Sequence, residues 1–131
     1  MDEPYLAIKA VMMPKDTNPH GTIFGGVILS YLDQASAIGA RHAVVQRGGS
    51  PPMLVTVAIN RVEFKQPVLV GDVVRFLTKV VRLGRTSITM NVRVEAERAG
   101  EILHVTEAEI VCVGVDPHSP ERRPVPLLPT N

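Results

Sequence analysis

From Phe24 to about Gln46 the chain contains no proline, and Ile28, Leu29, Leu32, Ala35, Ala37, Ile38 and Ala40 place apolar side chains on nearly every side until Arg41. Such a run favours a helix, and at about 1.5 Å per residue it spans roughly 30 Å. A helix apolar on most faces is expected to be buried on most faces. The chain has only 131 residues, enough for one domain, so the rest of it has to wrap this helix.

The remaining sequence offers strands for that purpose. Residues 5–13 read as a first strand ended by Pro14, and Gly48-Gly49-Ser50-Pro51-Pro52 stops the helix. Strand patterns follow at 53–64, 73–83, 86–96 and 102–115. They are separated by Pro67 with Gly71-Asp72, by Gly84-Arg85, and by a short turn containing Gly100. Ile88, Met90, Val92 and Val94 alternate onto one face. Short turns between the last three strands predict an antiparallel meander. The expected class is therefore α+β, an antiparallel five-stranded sheet around one long central helix. Residues 1–115 form that domain. The tail, 116–131, carries five of the eleven prolines and reads as extended, laid on the surface or partly disordered.

Composition narrows the partners. The net charge of +1 gives no general pull toward nucleic acid or membrane, and 4% aromatic residues leave little for base stacking. The single cysteine, Cys112, cannot form an internal disulfide, and it lies in an apolar run as a small core side chain. With no signal-peptide pattern at Met1-Asp2-Glu3-Pro4 and no long apolar span, a cytoplasmic protein is expected.

Two local features suggest chemistry. Asp33 is an acid where a core side chain is expected, and a carboxylate there is costly unless paired or used. Gly25-Gly26 opens the helix with bare backbone N–H groups. Together they suit a polarised carbonyl and an activated water. Asn18, before Pro19, reads by itself as a turn residue. His20, His42, His104 and His118 show no metal-ligand spacing, and no Gly-x-Ser-x-Gly elbow or phosphate loop is present.

Four stretches carry a family resemblance. They are Asp16-Thr-Asn-Pro-His-Gly-Thr-Ile-Phe-Gly-Gly with Asp33 downstream, Val55-Thr-Val-Ala, Val62-Glu-Phe-Lys-Gln-Pro-Val-Leu-Val-Gly-Asp-Val-Val, and Gly84-Arg-Thr-Ser-Ile. Over residues 8–115 the chain resembles hot-dog-fold acyl-CoA hydrolases, the family of brain acyl-CoA hydrolase and its single-domain bacterial relatives. The resemblance implies hydrolysis of acyl-CoA to a free fatty acid and CoA. It implies Asn18 and Asp33 as the catalytic pair, contributed by different subunits, with the Gly26 N–H polarising the thioester carbonyl. Gly25, Thr56, Gly84, Arg85 and Ser87 would bind substrate. Arg61, Lys65, Arg82, Arg122 and Arg123 are further candidates for the CoA phosphates. No cofactor is implied beyond CoA as part of the substrate. The partners implied are a small-molecule acyl-CoA and further copies of the chain, as a dimer and a trimer of dimers, with no nucleic acid and no membrane. The spacing agrees with sharing between subunits, because eight residues from Gly25 to Asp33 are about 12 Å of helix. Two alternatives stand beside this reading. Asp16-Thr-Asn-Pro-His resembles the motif of hot-dog hydratases acting on enoyl-CoA, although His20 follows Asn18 by two residues rather than three. A non-catalytic acyl-CoA-binding domain would keep Gly84-Arg85 but would not need Asp33.

Overall fold

The turns fall where the glycine-containing breaks are. A computed structural model describes residues 3–129; Met1 and Asp2 of the expected domain, and Thr130 and Asn131 of the expected tail, lie outside the described residues. In chain order the elements are β1 (Tyr5–Val11), a short 3-10 turn (Pro14–Asp16), α1 (Gly25–Gln46), β2 (Met53–Asn60), β3 (Val73–Leu83), β4 (Ser87–Arg98) and β5 (Glu101–Val115). One antiparallel sheet has the order β1-β3-β4-β5-β2. The meander β3–β4–β5 forms as expected, as does the α+β class. At its tightest turn Ala99 and Gly100 both take positive φ (53° and 79°), the twist a two-residue hairpin needs. β2 is shorter than expected. It ends at Asn60, and Arg61 follows at φ 35°, outside the extended region a strand requires.

The core lies between α1 and the inner sheet face. Phe76, Ile88, Met90, Val92, Val94, Ile110 and Cys112 are buried against Ile28, Leu32, Ala35, Ala40 and Val44. Gly39 sits directly on β3: a Cβ there would collide with the Thr78 side chain. The Thr78 hydroxyl in turn donates to the Tyr5 carbonyl at 3.1 Å, tying β1 to the same point.

Two expectations are corrected. The helix is buried along one side of the single chain, not on most faces: Ile38 is 39% and Val45 55% exposed. Five strands curl far enough to cover one side of a helix and no further. The tail is not extended throughout: residues 117–121 turn, with Ser119 N–H donating to Asp116 O at 3.2 Å and Arg122 N–H to Ser119 O at 3.0 Å, and beyond them it is not merely laid on the surface. Val125 N–H donates to Gly114 O at 2.8 Å and Leu127 N–H to Arg85 O at 3.0 Å. Leu127 is 2% exposed and packs where Gly49 and Gly114 leave room for it. In Pro124-Val125-Pro126-Leu127 only alternate residues have an N–H, and both N–H groups are used; an apolar side chain at 127 does the rest.

The turn before β3 is held by Asp72, which is 3% exposed. Arg98 donates to both its carboxylate oxygens, at 2.9 and 2.7 Å, and the Leu69 N–H donates at 2.9 Å. Burial pushes the Asp72 carboxyl up, but the Arg98 guanidinium and the Leu69 amide outweigh it and hold the group below its usual range. A depressed folded pKa adds stability above the unfolded value of about 3.9, lost as pH falls through the folded pKa. Arg98→Met should therefore cost about 2 kcal/mol near neutrality. In urea titrations its difference from wild type should shrink below about pH 4; a difference independent of pH would contradict this account.

Candidate active site

The loop before α1 is organised by Asn18. Its Oδ1 accepts from the backbone N–H of His20 at 2.9 Å and of Thr22 at 3.2 Å, and its Nδ2 donates to Thr22 Oγ1 at 2.8 Å. This is the turn chemistry of an Asx residue. It uses up the carbonyl oxygen of the side chain and leaves one Nδ2 hydrogen over. Ile23 N–H to Val68 O at 2.8 Å anchors the loop to the turn before β3. Asp16 is committed locally: its carboxylate accepts from Met13 N–H at 3.0 Å and from Lys15 at 3.2 Å. The Met13 amide leads in holding its carboxyl low. The His20 side chain is exposed.

This loop delivers the chain to the start of α1. Phe24 supplies no side-chain cap, no acid lies in the first turn, and the Val27 N–H donates to Phe24 O at 3.0 Å, so the Gly25 and Gly26 N–H groups and the positive end of the helix dipole are what a ligand meets there. Gly25 and Gly26 are exposed, and a Cβ on Gly26 would meet nothing. A cleft of about 450 Å³ runs from Gly26 past Val27, Ser30 and Tyr31 to Gln34, with Asp16 at its side. Phe64 lies across Gly25 on the other side.

Two turns further along α1 is Asp33. It is half-buried and faces β2, where Thr56 Oγ1 donates to its Oδ1 at 2.6 Å. β2 is a sheet edge, and its register on β5 shifts between Thr56 and Ala58, leaving Val57 as the extra residue of a bulge. Bulges of this kind re-aim side chains. Behind Thr56 lies its register partner Cys112, with Sγ 4.0 Å from Thr56 Oγ1 and 3.7 Å from Ser36 Oγ. Burial pushes the Cys112 thiol up.

Gly84, Arg85 and Ser87 share one turn at the same end of the sheet. Gly84 N–H donates to Ser87 O at 2.8 Å, and the Arg85 carbonyl is taken by Leu127. The Arg85 side chain is exposed. Ile88, next along β4, pairs with Cys112, which pairs with Thr56, so two strand spacings, about 10 Å, separate this end of β4 from Thr56.

The expected residues thus stand apart in one chain: Asn18 in the loop before α1, Gly25 and Gly26 at the helix start, Asp33 with Thr56, and Gly84, Arg85 and Ser87 at the turn between β3 and β4. Among the described residues no hydrogen bond joins Asn18 to Asp33. The contacts of Ser36 and Cys112 with this site were not foreseen. A serine three residues from Asp33 in an apolar helix was the available signal, because i and i+3 share a face. Among the described residues no cluster of three or more His, Cys, Asp or Glu could hold a metal, and no helix is long and apolar enough to cross a membrane.

A sheet curled around one long helix, with an open helix start and an acid on its flank, defines the hot-dog class. A hexameric hotdog fold thioesterase of Campylobacter jejuni is similar over 92% of this chain and 88% of its own, with TM-score 0.79 and 40% identity. The broad specificity acyl-coenzyme A thioesterase HI0827, hexameric and solved as an aspartate-to-alanine mutant, matches with TM-score 0.84 and 32% identity over 98% and 90%. The model of the Thioesterase superfamily matches residues 20–103. Acyl-CoA thioester hydrolase YciA of Salmonella typhimurium is 37% identical over 127 residues, 93% of this chain and 90% of that one. The chain belongs to the thioesterase superfamily.

The Asn18 bonds separate scaffold from chemistry. Asn18→Asp keeps both acceptor bonds, and the Thr22 hydroxyl can donate to its second oxygen. Its Tm should stay near wild type. Asn18→Ala loses all three bonds and should cost about 1–2 kcal/mol. Equal stability of the two variants in thermal melts would overturn this assignment.

Proposed function

We propose that the protein hydrolyses acyl-CoA thioesters to a carboxylic acid and CoA, with Asp33 of one subunit acting on a thioester bound at the helix start of another. The observation that carries this reading is the Thr56–Asp33 bond at the open edge of the sheet. It holds a carboxylate beside the edge strand, where Val57 is 58% and Ile59 40% exposed, while Ile38 and Val45 are exposed on the helix. A two-fold partner pairing along β2 covers both surfaces and brings its Asn18 loop toward Asp33. The hexameric assemblies of similar proteins support a trimer of such dimers.

The thioester oxygen accepts from the Gly26 N–H at the positive helix end. The absence of a Cβ at Gly25 and Gly26 allows the acyl carbon to approach. The spare Nδ2 hydrogen of Asn18 adds a donor. Asp33 takes a proton from water as the water oxygen attacks the carbonyl carbon. The tetrahedral intermediate then collapses, the C–S bond breaks, and the CoA thiolate leaves and is protonated. Direct attack by Asp33 gives a mixed anhydride that water cleaves, using the same residues. Neither route needs a cofactor. Arg85 and Ser87 are placed for the nucleotide end of CoA, as a charged fork and a hydroxyl. A reducing cytoplasm suits the single buried thiol.

Thiol release from a panel of acyl-CoAs tests the activity. Asp33→Ala should lower kcat by about 100-fold or more; wild-type protein that releases no thiol from any acyl-CoA, while still binding it, overturns the proposal. Sharing between subunits has its own test. Asn18→Ala and Asp33→Ala, each nearly inactive, should recover activity when mixed, because each heterodimer contains one intact site. Proven subunit exchange without recovery would place the pair within one chain.

A further inference from the structure

We infer that Ser36 and Cys112 are positioning residues: with Thr56 they form a one-way hydrogen-bond chain that ends on Asp33 and sets the direction of its carboxylate. The inference rests on Asp33 being the base or nucleophile of the proposed hydrolysis.

The direction follows from counting protons. Ionised Asp33 can only accept. The hydroxyl of Thr56 has one hydrogen, spent on Asp33 Oδ1 at 2.6 Å. Toward Cys112, at 4.0 Å, Thr56 can therefore only accept, and the thiol must donate. Cys112 is 0% exposed, and its burial keeps the sulfur protonated. With its one hydrogen aimed at Thr56, the sulfur can only accept from Ser36, at 3.7 Å. Ser36 is itself 0% exposed, where an unpaired hydroxyl is costly. With both sulfur contacts made as hydrogen bonds, the protons run one way: Ser36 to Cys112, Cys112 to Thr56, Thr56 to Asp33.

The chain has work to do because of where Thr56 sits. It is an exposed residue on an edge strand, next to a bulge, and a threonine hydroxyl there has three staggered directions available to it. A donor behind its oxygen selects the one that leads to Asp33. With Oδ1 held in this way, Oδ2 is the oxygen left for water or for the thioester carbon. α1 supplies Asp33 and Ser36, β5 supplies Cys112 and β2 supplies Thr56, so the chain also ties three elements together at one carboxylate.

The test measures kcat and KM separately by thiol release, using the acyl-CoA that wild type turns over fastest, together with the Tm of each variant. Cys112→Ala should lower kcat about 3- to 10-fold, Ser36→Ala about 2- to 3-fold, both with KM unchanged, as expected for one or two weak hydrogen bonds. Cys112→Ser, which still donates and accepts, should recover at least half of the lost kcat. Thr56→Ser should keep most of the wild-type rate and Thr56→Val should not. If Cys112→Ala fails to fold, Ser36→Ala decides, since it removes one atom from a helix that favours alanine. Unchanged kcat in both Ala variants, a change in KM alone, or Cys112→Ser as impaired as Cys112→Ala would overturn the inference. Asp33→Ala distinguishes the two failures: if it retains wild-type turnover, the function proposed for Asp33 is wrong, whereas a dead Asp33→Ala beside fully active Ser36 and Cys112 variants rejects the chain alone.

Discussion

The contact of Gly39 with Thr78 sets the depth at which α1 rests on the sheet. A side chain at 39 would have to displace β3 or lift the helix. Asp33 lies under two turns before Gly39 on the same rigid rod, so lifting the helix would move it away from β2. The Thr56–Asp33 bond is 2.6 Å long, and a shift of an ångström ends a hydrogen bond of that length. The same Thr78 also holds β1 through the Tyr5 carbonyl. One glycine-to-threonine contact therefore links the position of the edge strand β1, the seating of the helix, and the geometry of the carboxylate on its far flank.

The outward apolar residues of α1 make sense only with a second copy of the chain. Ile38 and Val45 are exposed in one subunit, as are Val57 and Ile59 of β2. Ile38 and Val45, seven residues apart, share one face of α1, and large exposed apolar side chains that cluster in this way mark an interaction surface. In the proposed dimer they become interior, and the helix is then covered on most sides, as its composition demands. The chain's own five strands leave part of the expected burial of α1 unmet, and in the proposed dimer the partner would supply that part.

What was legible follows from how local each signal is. The meander β3–β4–β5 was visible because each turn carries its own glycine and each strand its own alternation. Ile88, Met90, Val92 and Val94 are all buried, as their spacing required. The pairing of β2 with β5 was not visible, since it joins residues as far apart as Met53 and Val115 and no turn specifies it. The fate of the tail was also hidden: proline content excludes helix and central strand but says nothing of a single leucine that fits beside two glycines. At the site, Asp33 stood out as an acid among apolar residues. Asn18 was marked by the family resemblance, whereas its own neighbours suggested a turn. The structure gives it that turn role within the chain, and the proposed chemistry depends on the one hydrogen the turn does not use.

That remaining hydrogen restricts which residue can be the base. The Asn18 carbonyl is occupied by two backbone N–H groups, so its side chain offers a substrate a donor and nothing to receive a proton. Gly26 likewise offers an N–H, and the helix start adds positive potential. The N–H groups at this end of the helix stabilise negative charge. A base placed there would be held ionised by the same donors and would compete with the thioester for them. About 12 Å of helix keeps Asp33 clear of its own helix start, beside the edge strand β2, where its hydrogen-bond partner is the Thr56 hydroxyl. In the proposed dimer, donors from one subunit and the carboxylate from the other meet only across the substrate. Each group then retains the charge and protonation its role needs until the thioester lies between them.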